Sequence, residues 1–190
     1  MLKAAALFMA LFPAFAAAQV FNPLTAIGKV VSTSMDVRSK SEVTADAEIS
    51  AGASSRLLDN KKAEWAGVTI LVFQQHVVLA GAVKTPEARK VVEDVVKTDK
   101  RIRSLKNELR TGDVGSLVKD TALEAEINAT LTAASGVSSV NMRWSSVGGQ
   151  VVLMGVAQSK EEAGLAVSKV RGIKGVNGVK SHLRVVAPKK

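Results

Sequence analysis

The sequence predicts an α+β fold made of two tandem αββαβ modules, each a small mixed three-stranded sheet with two helices packed on one face. Three observations predict it. First, the chain repeats at a constant offset of 74 residues: Val77-Val78-Leu79-Ala80-Gly81 lines up with Val151-Val152-Leu153-Met154-Gly155, Asp46 with Asp120, Glu87 with Glu161, and Leu109-Arg110 with Leu183-Arg184. A shared offset over that span marks a duplicated folding unit. Second, within each copy the apolar period switches between the helical and the extended spacing. Third, a strand–helix–strand passage joining parallel neighbours takes a right-handed crossover, and placing both helices on one face is the economical packing.

In the first module, residues 45–110, Ile49, Ala53 and Leu57 recur every fourth residue and define a helical face. Val68–Phe73 and Val77–Val83 are β-branched runs broken by Gln74-Gln75-His76, which reads as a hairpin. Thr85-Pro86-Glu87 opens the next helix: Thr85 caps the first amides, Pro86 suits the first helical position and Glu87 suits the positive end of the dipole. Ala88, Val91, Val92, Val95 and Val96 form its core-facing stripe. Leu105, Asn107 and Leu109 alternate with Lys106, Glu108 and Arg110, a strand with one wet face.

Residues 111–116, with Gly112 and Gly115, read as a linker to the second module, residues 117–186. Leu123, Ile127 and Leu131 take the roles of Ile49, Ala53 and Leu57. Val140, Met142 and Trp144 alternate with polar neighbours, and Gly148-Gly149 makes the hairpin turn. Trp144 aligns with Ile70 and is expected in the core, while Trp65 is open to either plain packing or an interface or membrane contact. Ser159 and Glu162 form a capping box. In the last strand Val179, Ser181, Leu183 and Val185 face inward and Lys180, His182 and Arg184 outward; a basic tail, 187–190, follows.

Residues 1–18 have the layout of a secretory signal peptide: Lys3, an apolar stretch from Ala4 to Phe12, then Pro13 and the small run Ala16-Ala17-Ala18, with cleavage expected before Gln19. A leader segment, 19–44, separates it from the first module. Export and a formal charge of +9 favour anionic envelope partners over nucleic acid. With 0 Cys there is no disulfide, thiolate metal site or cysteine-linked lipid anchor, so the chain is not a lipoprotein. His76 and His182 are the only histidines, and neither has ligand or triad spacing. Both read as exposed polar residues. No catalytic set, metal site or cofactor is expected.

Gly149-x-Val151-x-Leu153-x-Gly155 and Gly175-Val176-x-x-Val179-x-Ser181-x-Leu183 resemble the hairpin strand and closing segment of the BON domain. The first module carries the weaker version, with Gln75 and Arg101 in place of two glycines. The resemblance implies a non-enzymatic envelope role: binding anionic phospholipid and supporting outer-membrane integrity and stress tolerance from the periplasm. A chaperone or protein-interaction module, working through exposed sheet edges or helices, is the alternative. Where lipid-binding relatives carry a basic, aromatic first helix in the second module, this chain presents Ala122, Glu124 and Glu126, which argues against the same contact. The candidate lipid-binding residues are instead Lys97, Lys100, Arg101 and Arg103 in the first module and Lys169, Arg171 and Lys174 in the second, at the ends of the second helix of each copy.

Overall fold

The structure, a computed structural model, describes residues 36–112 and 117–187. The expected signal peptide, most of the leader, residues 113–116 of the linker and the last three residues lie outside them. The first module runs α1 (Lys40–Asp59), β1 (Val68–Phe73), β2 (His76–Val83), α2 (Pro86–Lys97), β3 (Ser104–Asn107) and β4 (Arg110–Thr111). The second runs α3 (Leu117–Ala133), a 3-10 turn (Ser139–Asn141), β5 (Met142–Val147), β6 (Gln150–Ala157), α4 (Lys160–Arg171) and β7 (Gly178–Val185). In each sheet the hairpin partner is antiparallel to the central strand and the last strand parallel to it. This is the mixed αββαβ module expected, twice.

Each module buries one core between its helices and one face of its sheet. In the first, Ile49, Ala53 and Leu57 of α1 and Ala88, Val92 and Val96 of α2 close over Val68, Val72, Val77, Leu79 and Val83. In the second, Leu123, Ile127 and Leu131 join Ala166 and Val170 over Met142, Val151 and Leu153. Trp144 packs on this core with its indole N–H donating to the Glu124 carbonyl, and Trp65 packs on the first core.

Local chemistry departs from expectation at several element ends. A helix begins at Lys40, inside the expected leader, because Ser39 and Glu42 form a reciprocal capping box. The expected linker starts as strand, since β4 pairs with β2 through Arg110 and Thr111. Ser159 does accept the Glu162 amide. The Glu162 carboxylate, however, accepts from Gln158 and Ser138 amides at 2.7 Å each, so it ties α4 to the segment before the 3-10 turn. The last strand of the first module is broken at Glu108-Leu109, where the Leu109 amide turns to the Asn107 side chain.

The helix-free faces of the two sheets pack against each other. Leu71, Phe73, Val78 and Ala80 meet Val152, Met154 and Val156 in a third buried cluster. The molecule is therefore a four-layer α/β/β/α sandwich. Reciprocal contacts reveal its symmetry. Glu108 and His182 occupy the same place in the two copies, and they bond to each other at 2.8 Å. Arg184 donates to Gln74, while its counterpart Arg110 donates to the Val147 carbonyl, next to Gly148, the counterpart of Gln74. Equivalent residues meet in this way only near an axis that exchanges the copies. An approximate two-fold axis thus passes close to the Glu108–His182 pair.

This packing corrects in part the reading of the last strands as wet on one side: Lys106, Arg110 and Lys180 are exposed, but Glu108, His182 and Arg184 are not. His182, Arg184 and Glu108 turn toward the seam and are half-buried, while Lys180 stays exposed at its rim. Glu108 holds Lys180 at 2.6 Å as well as His182, and its side chain is 14% exposed. The histidines are not exposed polar residues either: half-buried His182 is hydrogen-bonded to Glu108, and half-buried His76 shares a 2.6 Å hydrogen bond with Ser104.

Candidate functional site

The basic residues singled out above fall at the C-terminal ends of α2 and α4 and in the turns that follow. Lys97, Lys100 and Arg103 are exposed, as are Lys169, Arg171 and Lys174. A helix C-terminus concentrates unpaired carbonyls and attracts cations, which accounts locally for Lys97, Lys169 and Arg171. Each cluster sits on the outer helical layer of its own module, and the two-fold axis relates one to the other.

Arg101 differs from its neighbours. Its guanidinium bonds both oxygens of Asp99 at 2.9 and 2.7 Å and reaches Glu48 of α1 at 2.7 Å. Asp99 also accepts from Arg56 at 3.1 Å and from the Arg101 amide. Hydrogen bonds from Arg101 outweigh the burial of Asp99 and hold its carboxyl far below the usual carboxylate range. Arg101 is thus a strut joining α1 to the α2–β3 turn. The sequence offered one signal for this, Asp99 two residues before Arg101, the spacing of a carboxylate that closes a turn onto a following amide.

Around this strut the surface is mixed. A shallow groove of ≈ 260 Å³ is lined by Glu93, Lys97, Asp99, Ile102, Arg103 and Ser104. Its acidic walls are largely spoken for: Asp99 by two arginines, and Glu93 by the Asn107 side chain at 2.8 Å. Lys97 and Arg103 have no such partner in the groove. Burial of His76 nearby and, after it, the charges of Arg184 and Arg103 hold that imidazole below its ordinary value.

The first helix of the second module presents fewer acids than expected. Glu124 is turned inward, where its carboxylate accepts the Ser146 amide at 2.8 Å and burial raises its pKa. Of the pair, only Glu126 is exposed.

A second polar locus missed by the sequence reading lies between modules and ahead of them. Arg38 bonds Asp36 at 2.7 Å and Asp46 at 3.0 Å, with its guanidinium 4.5 Å from the centre of the Phe73 ring. Arg143 of the second module lies 5.4 Å from the same ring. Burial, with Arg38 alongside, pushes the Arg143 guanidinium down to about 10, so it stays charged at neutral pH. The Val37 amide donates to Asn141, so the described end of the leader straps both modules together. The seam also contains a cleft of ≈ 240 Å³ lined by Glu108, Arg110, Ser145 and Lys180 among others.

Among the described residues, no group of three His, Cys, Asp or Glu side chains could hold a metal ion. No helix there is long and apolar enough to cross a membrane.

Each αββαβ copy matches one family model: the chain belongs to the BON domain family, whose model matches residues 45–113 and 119–187. Among individual proteins it is similar to an uncharacterized protein in the gshII 5' region of Anaplasma centrale, 32% identical over 64% of this chain and 83% of that one. It is also similar to osmotically-inducible protein Y of Escherichia coli, 26% identical over 73% of this chain and 72% of that one. Among solved structures, the C-terminal domain of CdsD, a structural protein of the Chlamydia trachomatis type III secretion system, matches 74% of this chain and 67% of that one at 17% identity and a TM-score of 0.31.

Proposed function

We propose that this protein is an exported, periplasmic, non-enzymatic component of the cell envelope that attaches reversibly to anionic phospholipid and supports outer-membrane integrity under osmotic stress. The likeness to osmotically-inducible protein Y supports the stress part of this reading, and the secretory layout of residues 1–18 supports the envelope part. The observation that carries the lipid part is the exposure of Lys97, Lys100 and Arg103, repeated by Lys169, Arg171 and Lys174, while Asp99 is already occupied by Arg101 and Arg56. Each such charge near an anionic leaflet contributes about 1 kcal/mol. Without an apolar anchor the attachment is electrostatic and salt-sensitive.

Vesicle flotation tests it. The protein is expected to float with phosphatidylglycerol vesicles, not with phosphatidylcholine vesicles, and to dissociate as salt rises. Lys100→Glu with Arg103→Glu is expected to weaken binding by roughly 30-fold or more, since two charges are reversed. Arg101 is left in place because its loss would disturb the strut. Equal flotation of the double variant and the parent would remove these residues from the site. A second reading, a protein-interaction module, is favoured by the state of the last sheet edge.

A further inference from the structure

The two copies treat their outer sheet edges differently. In the first module the edge is plugged. Arg89 of α2 reaches over the strand and donates to the Asn107 carbonyl at 2.7 Å. Asn107 answers with its side-chain amide, which donates to the Arg89 carbonyl and to Glu93, while its side-chain oxygen takes the Leu109 amide. The strand is broken there into β3 and β4. In the second module the counterparts of Arg89, Glu93 and Asn107 are Ala163, Val167 and Ser181. None can build the plug, and β7 runs unbroken from Gly178 to Val185 with β6 as its one neighbour in the sheet.

The orientation of its backbone follows from one bond. Val186 donates inward to the Ala157 carbonyl. In a strand the N–H and C=O of one residue point to the same side, and successive residues alternate. Val179, Ser181, Leu183 and Val185 therefore direct theirs away from β6. Among the described residues, the one partner recorded for these outward groups is a long 3.4 Å contact from the Leu183 amide to Ser181 Oγ. An uncovered edge of this length is a template for another strand.

The side chains along β7 say what would fit. Val179, Leu183 and Val185 line one face, with Val185 49% exposed. Lys180, His182 and Arg184 line the other, and among the described residues Glu108 is the single carboxylate bonded to them. A second copy paired edge to edge would set Lys180 and Arg184 against their own kind, which is unfavourable. We propose that the β7 edge accepts an extended segment of another protein in which apolar and acidic residues alternate, adding a fourth strand to the second sheet.

The probe is a blocked seven-residue peptide alternating glutamate and valine, titrated into the full chain. Amide exchange is expected to slow at Ser181, Leu183 and Val185 when the peptide binds. Ala163→Arg with Ser181→Asn rebuilds the plug and is expected to weaken binding by roughly tenfold or more. Should that variant fold poorly, Ser181→Pro removes an outward N–H while leaving the inward bonds to β6 in place, and is expected to have the same effect. Undiminished binding by a folded variant, or protection confined to other residues, overturns the proposal. Equal binding of a lysine–valine peptide overturns its acidic half. Self-association of the chain through these same amides would make a second copy the occupant and also overturn it.

Discussion

At Gly155 the backbone takes φ +127°, and a Cβ there would run into the Asn141 carbonyl; at Gly81, φ +108°, it would meet the Gly67 carbonyl. The last glycine of each hairpin strand is thus required by close backbone approach as well as by conformation. Gly155→Ala and Gly81→Ala are each expected to cost about 2–4 kcal/mol in chemical denaturation. Asp46 works at the same scale. It accepts the amides of Gln74 and Gln75 at 2.8 and 2.6 Å, both residues lying at positive φ, and so stabilises a left-handed turn without glycine. Asp120 accepts the Gly148 amide in the same way. Asp46→Ala is expected to destabilise by about 1–3 kcal/mol, because two turn amides and Arg38 lose their acceptor. Asp99 adds a pH dependence. Its folded pKa is depressed, so its contribution is complete above the unfolded value of about 4 and is lost as pH falls below it. Asp99→Asn is therefore expected to lower stability at neutral pH, and the gap between variant and parent should close in acid denaturation below about pH 4.

Among the elements, α2 shows how packing compensates for weak local preference. It is rich in valine, a mediocre helix former, yet is held by the Thr85 cap, Pro86 in the first turn and the buried stripe Ala88, Val92 and Val96. Val92 is fully buried, and Val92→Ala is expected to cost about 1–3 kcal/mol, read from the denaturation midpoint at unchanged slope. The central strands β2 and β6 are apolar on both faces, the mark of a strand covered on both sides. One face meets helices and the other meets the second sheet.

For the molecule as a whole, this back-to-back packing makes the copies interdependent. The seam has an apolar centre at Phe73, Val78, Val152 and Met154, and a polar rim of Glu108 with Lys180 and His182, Gln74 with Arg184, and Thr69 with Ser145. One cooperative thermal transition is expected for the parent. Met154→Asp would bury an unpaired charge at the seam centre, and calorimetry is expected to resolve two transitions in that variant. Persistence of a single transition at the parental temperature would mean that the seam contributes little.

The duplication, the element order, the core positions of both helical layers and the hairpin turns were all legible in the residues, because each depends on local periodicity or on a fixed offset. Glu124 was misread as a surface charge, and the bonds of exposed Arg101 were missed, since their partners lie far off in sequence: Ser146 on β5 and Glu48 on α1. The capping box at Ser39 and Glu42 was within reach but lay in a stretch with no sustained period. Alternation along β7 does separate Lys180, His182 and Arg184 from Val179, Leu183 and Val185. It cannot say whether the charged side meets water or a second sheet, because a charge paired across a seam and a charge in solvent leave the same period. The sequence by itself determined two copies of one unit and what lies inside each. Tertiary structure alone decided that the copies pack face to face about an axis, and that, among the described residues, the outer strand of the second copy has no neighbour beyond β6.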